Sequence, residues 1–273
     1  MNIYCIPGGG TPASVFFRWK PTFKGIAEIK TLDYSRDESD APLTAEALAA
    51  EFFDKIKDEL EGCGEYMLVS SCTGTLIEYE LYRLISSAGL ALPKEMLVFS
   101  AFPPDTDFYK NTEYISPENR EYIKDIYAAL FKGELFEQPE AAAARCTDFV
   151  ISNSIGTGKL SLPDKSVISE DCTYEQEIML GFANNTIKLL STDWRISQRY
   201  HMSEHEKQQI GCHVTVIHGT EDRLVPKEAS EQWRDYAAGG FSFMETDGDH
   251  NIITNNTPFC TELIRKLINK DEV

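Results

Sequence analysis

The stretch Val69–Thr75, with the sequence VSSCTGT, has the residue pattern of a sharp turn that exposes a nucleophile. Such a turn between a strand and a helix leaves room only for small side chains two positions before and two positions after the nucleophile. Cys72 meets this requirement, with Ser70 before it and Gly74 after it. Ser71 does not, because Val69 and Thr73 would take the flanking positions. The alternative is that Cys72 only fills space in the core, as many cysteines in apolar surroundings do.

A nucleophile of this kind needs a base, and the base needs an acid that orients it. In an α/β-hydrolase the acid follows a late strand and the histidine follows the last strand. Gly219–Pro226 (GTEDRLVP) follows a late strand-like run and contains Glu221 and Asp222. Gly248–Asn251 (GDHN) follows the last such run and contains His250. Nucleophile, acid and base therefore occur in the order that this fold requires.

The segments around these residues alternate between strand and helix patterns. Apolar runs predict strands over residues 2–7, 26–32, 65–70 and 96–99, and again over 213–219 and 241–244. Apolar residues at helical spacing predict helices from Thr44, after Cys72, over 227–238 and over 258–270. Between residues 106 and 209 the patterns predict helices over 116–133, 139–152 and 174–194, and we find no convincing strand.

This alternation predicts an α/β-hydrolase, with a mostly parallel central sheet that is flanked by helices and interrupted by an inserted helical lid. The predicted parts are residues 1–105 for the first part of the hydrolase core, 106–209 for the lid and 210–273 for the second part of the core. A chain of 273 residues is long enough for one such domain with an elaboration.

Four segments resemble type II thioesterases. Pro7–Phe16 (PGGGTPASVF) is similar to the oxyanion loop of that family, and Gly219–Pro226 to its acid loop. Gly248–His250 matches its histidine loop, and Phe182–Trp194 resembles its last lid helix. The resemblance spans the chain and is weakest over residues 106–172. Four matches in the family's order indicate membership far more strongly than any one of them.

The resemblance implies a role for each matched residue. Cys72 would be the nucleophile, His250 the base and Asp222 the acid that orients the base. The backbone N–H groups of Thr73 and Gly9 would form the oxyanion hole. We expect no cofactor and no metal ion at this site.

Two other acids and two departures from the family pattern qualify these assignments. Glu221 and Asp249 compete with Asp222 for the role of the acid, and are otherwise loop acids that face water. Ser70 stands where the family usually has glycine, and Cys72 stands where a hydrolase ordinarily has serine. A helix N-terminus and a nearby imidazolium would lower the pKa of a cysteine from about 8.5. Because an acyl group on sulfur is itself a thioester, such a nucleophile suits thioester exchange and aminolysis as well as hydrolysis.

The predicted function is therefore a thioesterase that cleaves acyl thioesters, and the resemblance implies a carrier protein of a polyketide or nonribosomal peptide pathway as the partner that presents them on phosphopantetheine. One alternative is an acyltransferase or cyclase that passes the acyl group from Cys72 to an amine or alcohol. Another is a hydrolase fold without catalytic activity that serves in binding.

Composition excludes other classes of function. The net charge is −18, from 26 basic and 44 acidic residues, which argues against a nucleic-acid partner. No apolar run is long enough to span a membrane and no signal peptide is visible, so we expect a cytoplasmic protein. The seven cysteines form no CxxC pair, which argues against structural zinc or a disulfide framework.

A local basic cluster lies next to the proposed oxyanion loop and consists of Arg18, Lys20, Lys24 and Lys30. This cluster could receive a phosphopantetheine phosphate or an acidic carrier protein, or it could be scattered surface charge.

Overall fold

The computed structural model describes residues 1–36, 43–62, 64–106, 139–154, 173–202 and 206–269, together with residues 124 and 128. The chain divides into two compact units. The first consists of Met1–Gly8, Pro12–Thr106 and Ser203–Val273, and the second of Gly9–Thr11 and Asp107–Met202. The helix predicted over 116–133 lies outside the described residues, except for residues 124 and 128, which are helical. A role of the second unit as a lid stays a prediction.

The first unit contains a six-stranded sheet in which all neighbouring strands are parallel, in the order β2-β1-β3-β4-β5-β6. Its parallel strands place all their carboxyl ends at one edge, where α/β proteins bind ligands. The strands are β1 Asn2–Ile6, β2 Glu28–Thr31, β3 Tyr66–Ser71, β4 Glu95–Phe99, β5 His213–Gly219 and β6 Phe241–Thr246. The predicted α/β-hydrolase sheet is confirmed.

The α-helices that the structure describes are α1 Lys20–Phe23, α2 Ala45–Gly62, α3 Gly74–Ser87, α4 Pro139–Ser154, α5 Tyr174–Met202, α6 Lys227–Glu231, α7 Ile252–Asn255 and α8 Thr257–Ile268. Within the described ranges, 3₁₀ helices cover Ala13–Arg18 and Gln232–Tyr236. The prediction of a single helix over 227–238 is wrong, because the α-helix ends at Glu231 and a 3₁₀ helix follows it. In that turn the buried indole of Trp233 donates a hydrogen bond to the carbonyl of Ala101 at 3.1 Å. Helix α5 is also longer than predicted.

Both faces of the sheet are covered. On one face, the 3₁₀ helix Ala13–Arg18 and helices α1, α7 and α8 bury a cluster of sheet residues: Ile3, Cys5, Met67, Val69, Leu97, Phe99 and Ile217. On the other face, α3 packs on β1 and β3, α2 packs against α3, and the Tyr4 hydroxyl donates to the Glu59 carboxylate of α2 at 2.9 Å. Strands that are buried on two faces read as continuous apolar runs rather than alternating ones. This explains why YMLV and MLVF are recognisable as strands in the sequence.

In the second unit, α4 packs against α5. A capping box starts α5, because the Thr173 hydroxyl accepts from the Gln176 N–H at 3.3 Å and the Gln176 side chain accepts from the Thr173 N–H at 2.8 Å. Further along α5, the buried carboxylate of Asp193 accepts a hydrogen bond from the N–H of Gly10 at 2.8 Å. The tip of the glycine loop therefore groups with α5.

A polar cluster links β4, β5 and β6 at the amino ends of β4 and β5. Nδ1 of His213 lies 2.7 Å from Oε1 of the buried Glu95, and the Thr215 hydroxyl donates to the same oxygen at 2.7 Å. Nε2 of His213 lies 3.2 Å from the Ser242 hydroxyl. The cluster has the order of a serine, histidine and carboxylate triad. It lies at the edge of the sheet opposite to Cys72, however, and it ties three strands together.

Candidate active site

Cys72 occupies a strained turn at the carboxyl edge of the sheet. It follows β3 directly, and its φ of 49° is in the left-handed region that a non-glycine residue rarely adopts. Three hydrogen bonds hold this conformation. The Cys72 N–H donates to the Phe99 carbonyl at 3.0 Å, while the N–H and hydroxyl of Thr75 donate to the Cys72 carbonyl at 3.1 and 2.7 Å. Strained residues of this kind concentrate at functional sites.

The turn has room for glycine alone at position 74. A Cβ atom on Gly74 would lie 2.4 Å from the carbonyl oxygen of Pro7 and 3.1 Å from that of Ile6. The end of β1 and the start of α3 therefore approach each other so closely that any side chain would collide with backbone. The small residue required two positions after Cys72 has a clear steric cause.

Ser70, the residue two positions before Cys72, is accommodated by a hydrogen bond. Its side chain is fully buried, and its hydroxyl donates to the Glu78 carboxyl of α3. Glu78 is a functional candidate that sequence reasoning missed. The segment Leu76–Leu81 (LIEYEL) contains two glutamates, Glu78 and Glu80, and its sequence does not distinguish the one that bonds Ser70.

His250 and Asp222 are brought together by the loops that follow β6 and β5. Nδ1 of His250 lies 2.9 Å from Oδ2 of Asp222. Oδ1 of Asp222 accepts the N–H groups of Leu224 and Val225 at 2.9 and 3.0 Å, which orients the carboxylate. The Asp222 side chain is completely buried, and that of His250 is 8% exposed. This is the geometry by which an acid selects the tautomer of a catalytic histidine.

The electrostatics of the pair stabilise charge on both partners. Burial raises the pKa of Asp222, but the charge and hydrogen bond of His250 and the two backbone N–H groups outweigh burial and hold the pKa below its ordinary value. Burial lowers the pKa of His250, but the negative charges and hydrogen bonds of Asp222 and of Cys72 as a thiolate outweigh burial and raise the pKa well above its ordinary value. The influence of Cys72 requires its sulfur to lie near the imidazole. Because Nδ1 faces Asp222, Nε2 is the ring nitrogen that is available to the Cys72 sulfur.

The two competing acids have other surroundings. Glu221 is exposed, and its N–H donates to the Gly248 carbonyl at 2.9 Å. Asp249 accepts from the N–H of Asn251 at 2.9 Å and from the Asn255 amide at 3.1 Å, so it supports the start of α7. Asp222 is the acid that the structure places against His250.

The predicted oxyanion donors belong to different units of the chain. Thr73 is the residue from which α3 starts, and backbone N–H groups at a helix N-terminus favour negative charge. Gly9 groups with the second unit. Their joint role in an oxyanion hole stays a prediction.

The four basic residues near the glycine loop do not form one uniform patch. Lys30 forms ion pairs with Glu59 at 2.6 Å and with Glu28 at 3.8 Å, so carboxylates neutralise its charge. The Lys20 ammonium lies over the ring of Phe17 at 4.6 Å.

The described residues contain no group of three or more His, Cys, Asp or Glu side chains placed to hold a metal ion. Among the described helices, none has the length and apolar composition of a membrane span.

Comparisons with known proteins agree on the fold. No family model matches the chain. The gramicidin S biosynthesis protein GrsT of Aneurinibacillus migulanus is 22% identical over 258 residues, which cover 92% of this chain and 82% of GrsT. The RedJ thioesterase of the prodiginine pathway in Streptomyces coelicolor has a TM-score of 0.66 at 19% identity, with 98% of this chain and 84% of RedJ covered. YbtT, a type II thioesterase of the yersiniabactin NRPS/PKS pathway, has a TM-score of 0.61 at 14% identity, with 97% and 91% covered.

These similarities confirm the resemblance to type II thioesterases that the four sequence segments predict. The cysteine at the nucleophile position is a separate matter, and its role stays a prediction. The chain has the α/β-hydrolase fold, and its structural neighbours include thioesterases, among them a type II thioesterase of an NRPS/PKS pathway.

Proposed function

We propose that this protein is a thioesterase that cleaves acyl thioesters through Cys72, His250 and Asp222. The observation that carries the proposal is the arrangement at the carboxyl edge of the sheet. A cysteine lies on a strained turn, and near it a buried histidine is held by a buried aspartate. The thioesterase identity of the structural neighbours supports the same reaction class.

The reaction follows from the charges at the site. His250 takes the proton of Cys72, and the resulting thiolate attacks the carbonyl carbon of the substrate thioester. The predicted donors, the N–H groups of Thr73 and Gly9, stabilise the oxyanion of the tetrahedral intermediate. Collapse of the intermediate breaks the carbon–sulfur bond, and the leaving thiolate takes the proton from His250. Water, deprotonated by His250, then hydrolyses the acyl-Cys72 thioester and releases the carboxylic acid.

The substrate we propose is an acyl group on the phosphopantetheine of a carrier protein in a polyketide or nonribosomal peptide pathway. GrsT takes part in gramicidin S biosynthesis, and YbtT comes from an NRPS/PKS pathway. A sulfur nucleophile suits a thioester substrate. Acylation replaces one carbon–sulfur bond by another, and both acylation and deacylation expel a thiolate, which is a weaker base than an alkoxide.

Turnover of acyl-pantetheine thioesters by wild type, Cys72→Ala and Cys72→Ser tests the proposal. We expect Cys72→Ala to lose turnover and the covalent acyl adduct, and Cys72→Ser to retain some turnover because a hydroxyl can be activated by the same histidine. Cys260→Ala, which removes a buried thiol of α8, is the matched control and should still form the adduct at Cys72. Full turnover by Cys72→Ala would refute the proposal.

The thiol also favours a second candidate, an acyltransferase or cyclase with the same acyl-Cys72 intermediate. Amines attack thioesters readily, so an acceptor amine could compete with water. Product analysis in the presence of a nucleophilic amine separates the two functions. Mainly free acid supports the thioesterase, and mainly amide at low amine concentration supports the transferase.

A further inference from the structure

Glu78 is a fully buried carboxyl group that the proposed mechanism does not use. Its Oε2 accepts the hydroxyl hydrogen of Ser70, and its Oε1 has no hydrogen-bond partner among the described residues. The groups that it affects electrostatically are the Cys5 thiol of β1 and the Cys212 thiol just before β5. None of these groups is positively charged, so the described surroundings offer a carboxylate one hydrogen bond and no counterion.

This environment keeps Glu78 neutral. Burial raises its pKa to about 8, and the hydrogen bond from Ser70 offsets only part of that effect. An ionised carboxylate in the same place would be desolvated, with one oxygen unpartnered, and would have to draw in water or move. Below about pH 8 the side chain is therefore a protonated acid within the core.

The hydrogen bond between Ser70 and Glu78 spans the turn that presents Cys72. Ser70 is the fifth residue of β3, and Glu78 is the fifth residue of α3, so the contact joins the strand before the turn to the helix after it. A residue with a φ of 49° keeps that conformation only when its surroundings hold it there. Ser70 and Glu78 supply a side-chain link of this kind, and the serine replaces the glycine that type II thioesterases usually have.

We propose that Glu78, through its buried hydrogen bond with Ser70 across the turn, is a positioning residue for Cys72. An ionised Glu78 would have to draw in water or move, so at alkaline pH the turn should loosen and the thiol should become less reactive. The inference depends on the proposed function only in taking Cys72 as the reactive group. Its test measures thiol reactivity and stability, so it gives an answer even if the protein turns over no thioester.

Stability should follow the same titration, and the sign can be worked out. The pKa of Glu78 is about 8 in the folded protein and close to 4.5 when the chain is unfolded. Between these values the folded state binds a proton that the unfolded state has released, so stability falls as pH rises from about 4.5 to about 8 and then levels off. Glu78→Gln removes this dependence because glutamine keeps a hydrogen-bonding oxygen and does not ionise.

The experiment compares the rate of iodoacetamide modification at Cys72, read by peptide mass spectrometry, between wild type and Glu78→Gln from pH 6 to 10. The ratio of the two rates cancels the titration of the thiol itself. We expect a ratio near one below pH 7, and a fall of about tenfold in the wild type relative to the variant at high pH, since displacements of about 1 Å cost reactive groups up to 10²-fold. The midpoint of the fall should lie near pH 8.

Glu80→Gln is the matched control, because Glu80 lies on the same helix and forms an ion pair with the partly exposed Arg83 at 2.9 Å. It should leave the ratio unchanged. Ser70→Ala removes the link itself, so Cys72 in this variant should be modified more slowly than in the wild type already at pH 7, and this comparison decides the matter if Glu78→Gln fails to fold. A ratio that does not change with pH, a modification rate of Cys72 in Ser70→Ala equal to that of the wild type at pH 7, or an equal effect of Glu80→Gln would overturn the proposal.

Discussion

Substitution of Gly74 by alanine tests the steric basis of the Cys72 turn. The added Cβ would lie 2.4 Å from the Pro7 carbonyl oxygen, about 0.6 Å inside the 3.0 Å limit below which such contacts essentially never occur. That oxygen belongs to the backbone at the end of β1, which is paired on both sides by β2 and β3. Neither partner can rotate away, so the start of α3 must move.

We expect Gly74→Ala to lower the free energy of unfolding by about 1–3 kcal/mol, as overpacked core substitutions do. A shift of more than half an ångström at the start of α3 also displaces Cys72 relative to His250. We expect its alkylation rate to fall by about tenfold, because misplacement by 1 Å costs up to about 10²-fold. Urea unfolding gives the first quantity, and peptide mass spectrometry after timed iodoacetamide treatment gives the second.

Gly181→Ala is the matched control. Gly181 is also a helical glycine without positive φ, but a Cβ atom added there would meet nothing within 4 Å, and the residue is exposed on α5. The alanine should therefore stabilise the protein by roughly 0.5–1 kcal/mol through helix propensity, with the alkylation rate of Cys72 unchanged. If Gly74→Ala behaved like Gly181→Ala in both assays, the steric account of the turn would be wrong.

Two further predictions concern hydrogen-bonded pairs at opposite edges of the sheet. Asp222→Asn should slow acylation of Cys72 by about 10²- to 10⁴-fold, the usual contribution of an oriented general base. Because the folded-state pKa of Asp222 is lowered and that of His250 is raised, the stability lost in Asp222→Asn should be largest between about pH 4 and 6.5 and should shrink as His250 loses its proton at higher pH. Glu95→Ala should cost about 1–3 kcal/mol in urea unfolding, because His213 loses its buried partner, yet should leave Cys72 alkylation unchanged. Equal stability losses at pH 5 and pH 9 for Asp222→Asn, or slower alkylation in Glu95→Ala, would contradict these assignments.

The sequence predicts most of the sheet because its signals are local. Apolar runs such as Tyr66–Val69 mark strands that are buried on two faces, and the spacing of Leu48, Phe52, Ile56 and Leu60 marks the buried side of α2. The order of the loops that follow β3, β5 and β6 then predicts the candidate site, because parallel strands end at the same edge. Cys72 and His250 could be named on these grounds, and the resemblance to type II thioesterases favoured Asp222 over Glu221 and Asp249.

What the sequence does not reveal depends on contacts between distant segments. To predict that Ser70 pairs with Glu78, one must know which side of α3 faces β3. To predict that the charge of Lys30 is neutralised, one must know where Glu59 lies on α2. The 3₁₀ turn after α6 reflects tertiary packing of Trp233, which overrides local helix propensity. Of the helix predicted over 116–133, the structure describes residues 124 and 128, which are helical, and the rest stays a prediction.

The burial of the other described thiols has a consequence for oxidation chemistry. Burial raises the pKa of each of them, to about 12 for Cys146, Cys212 and Cys260 and well above the ordinary value for Cys5. Peroxides react with the thiolate form, so among the cysteines at described positions the partly exposed Cys72 is the one that an oxidant reaches. A Cys72 that is oxidised to a sulfenic acid could not attack a substrate until a reductant restored the thiol. A serine at the same position would not make the protein sensitive to redox conditions in this way.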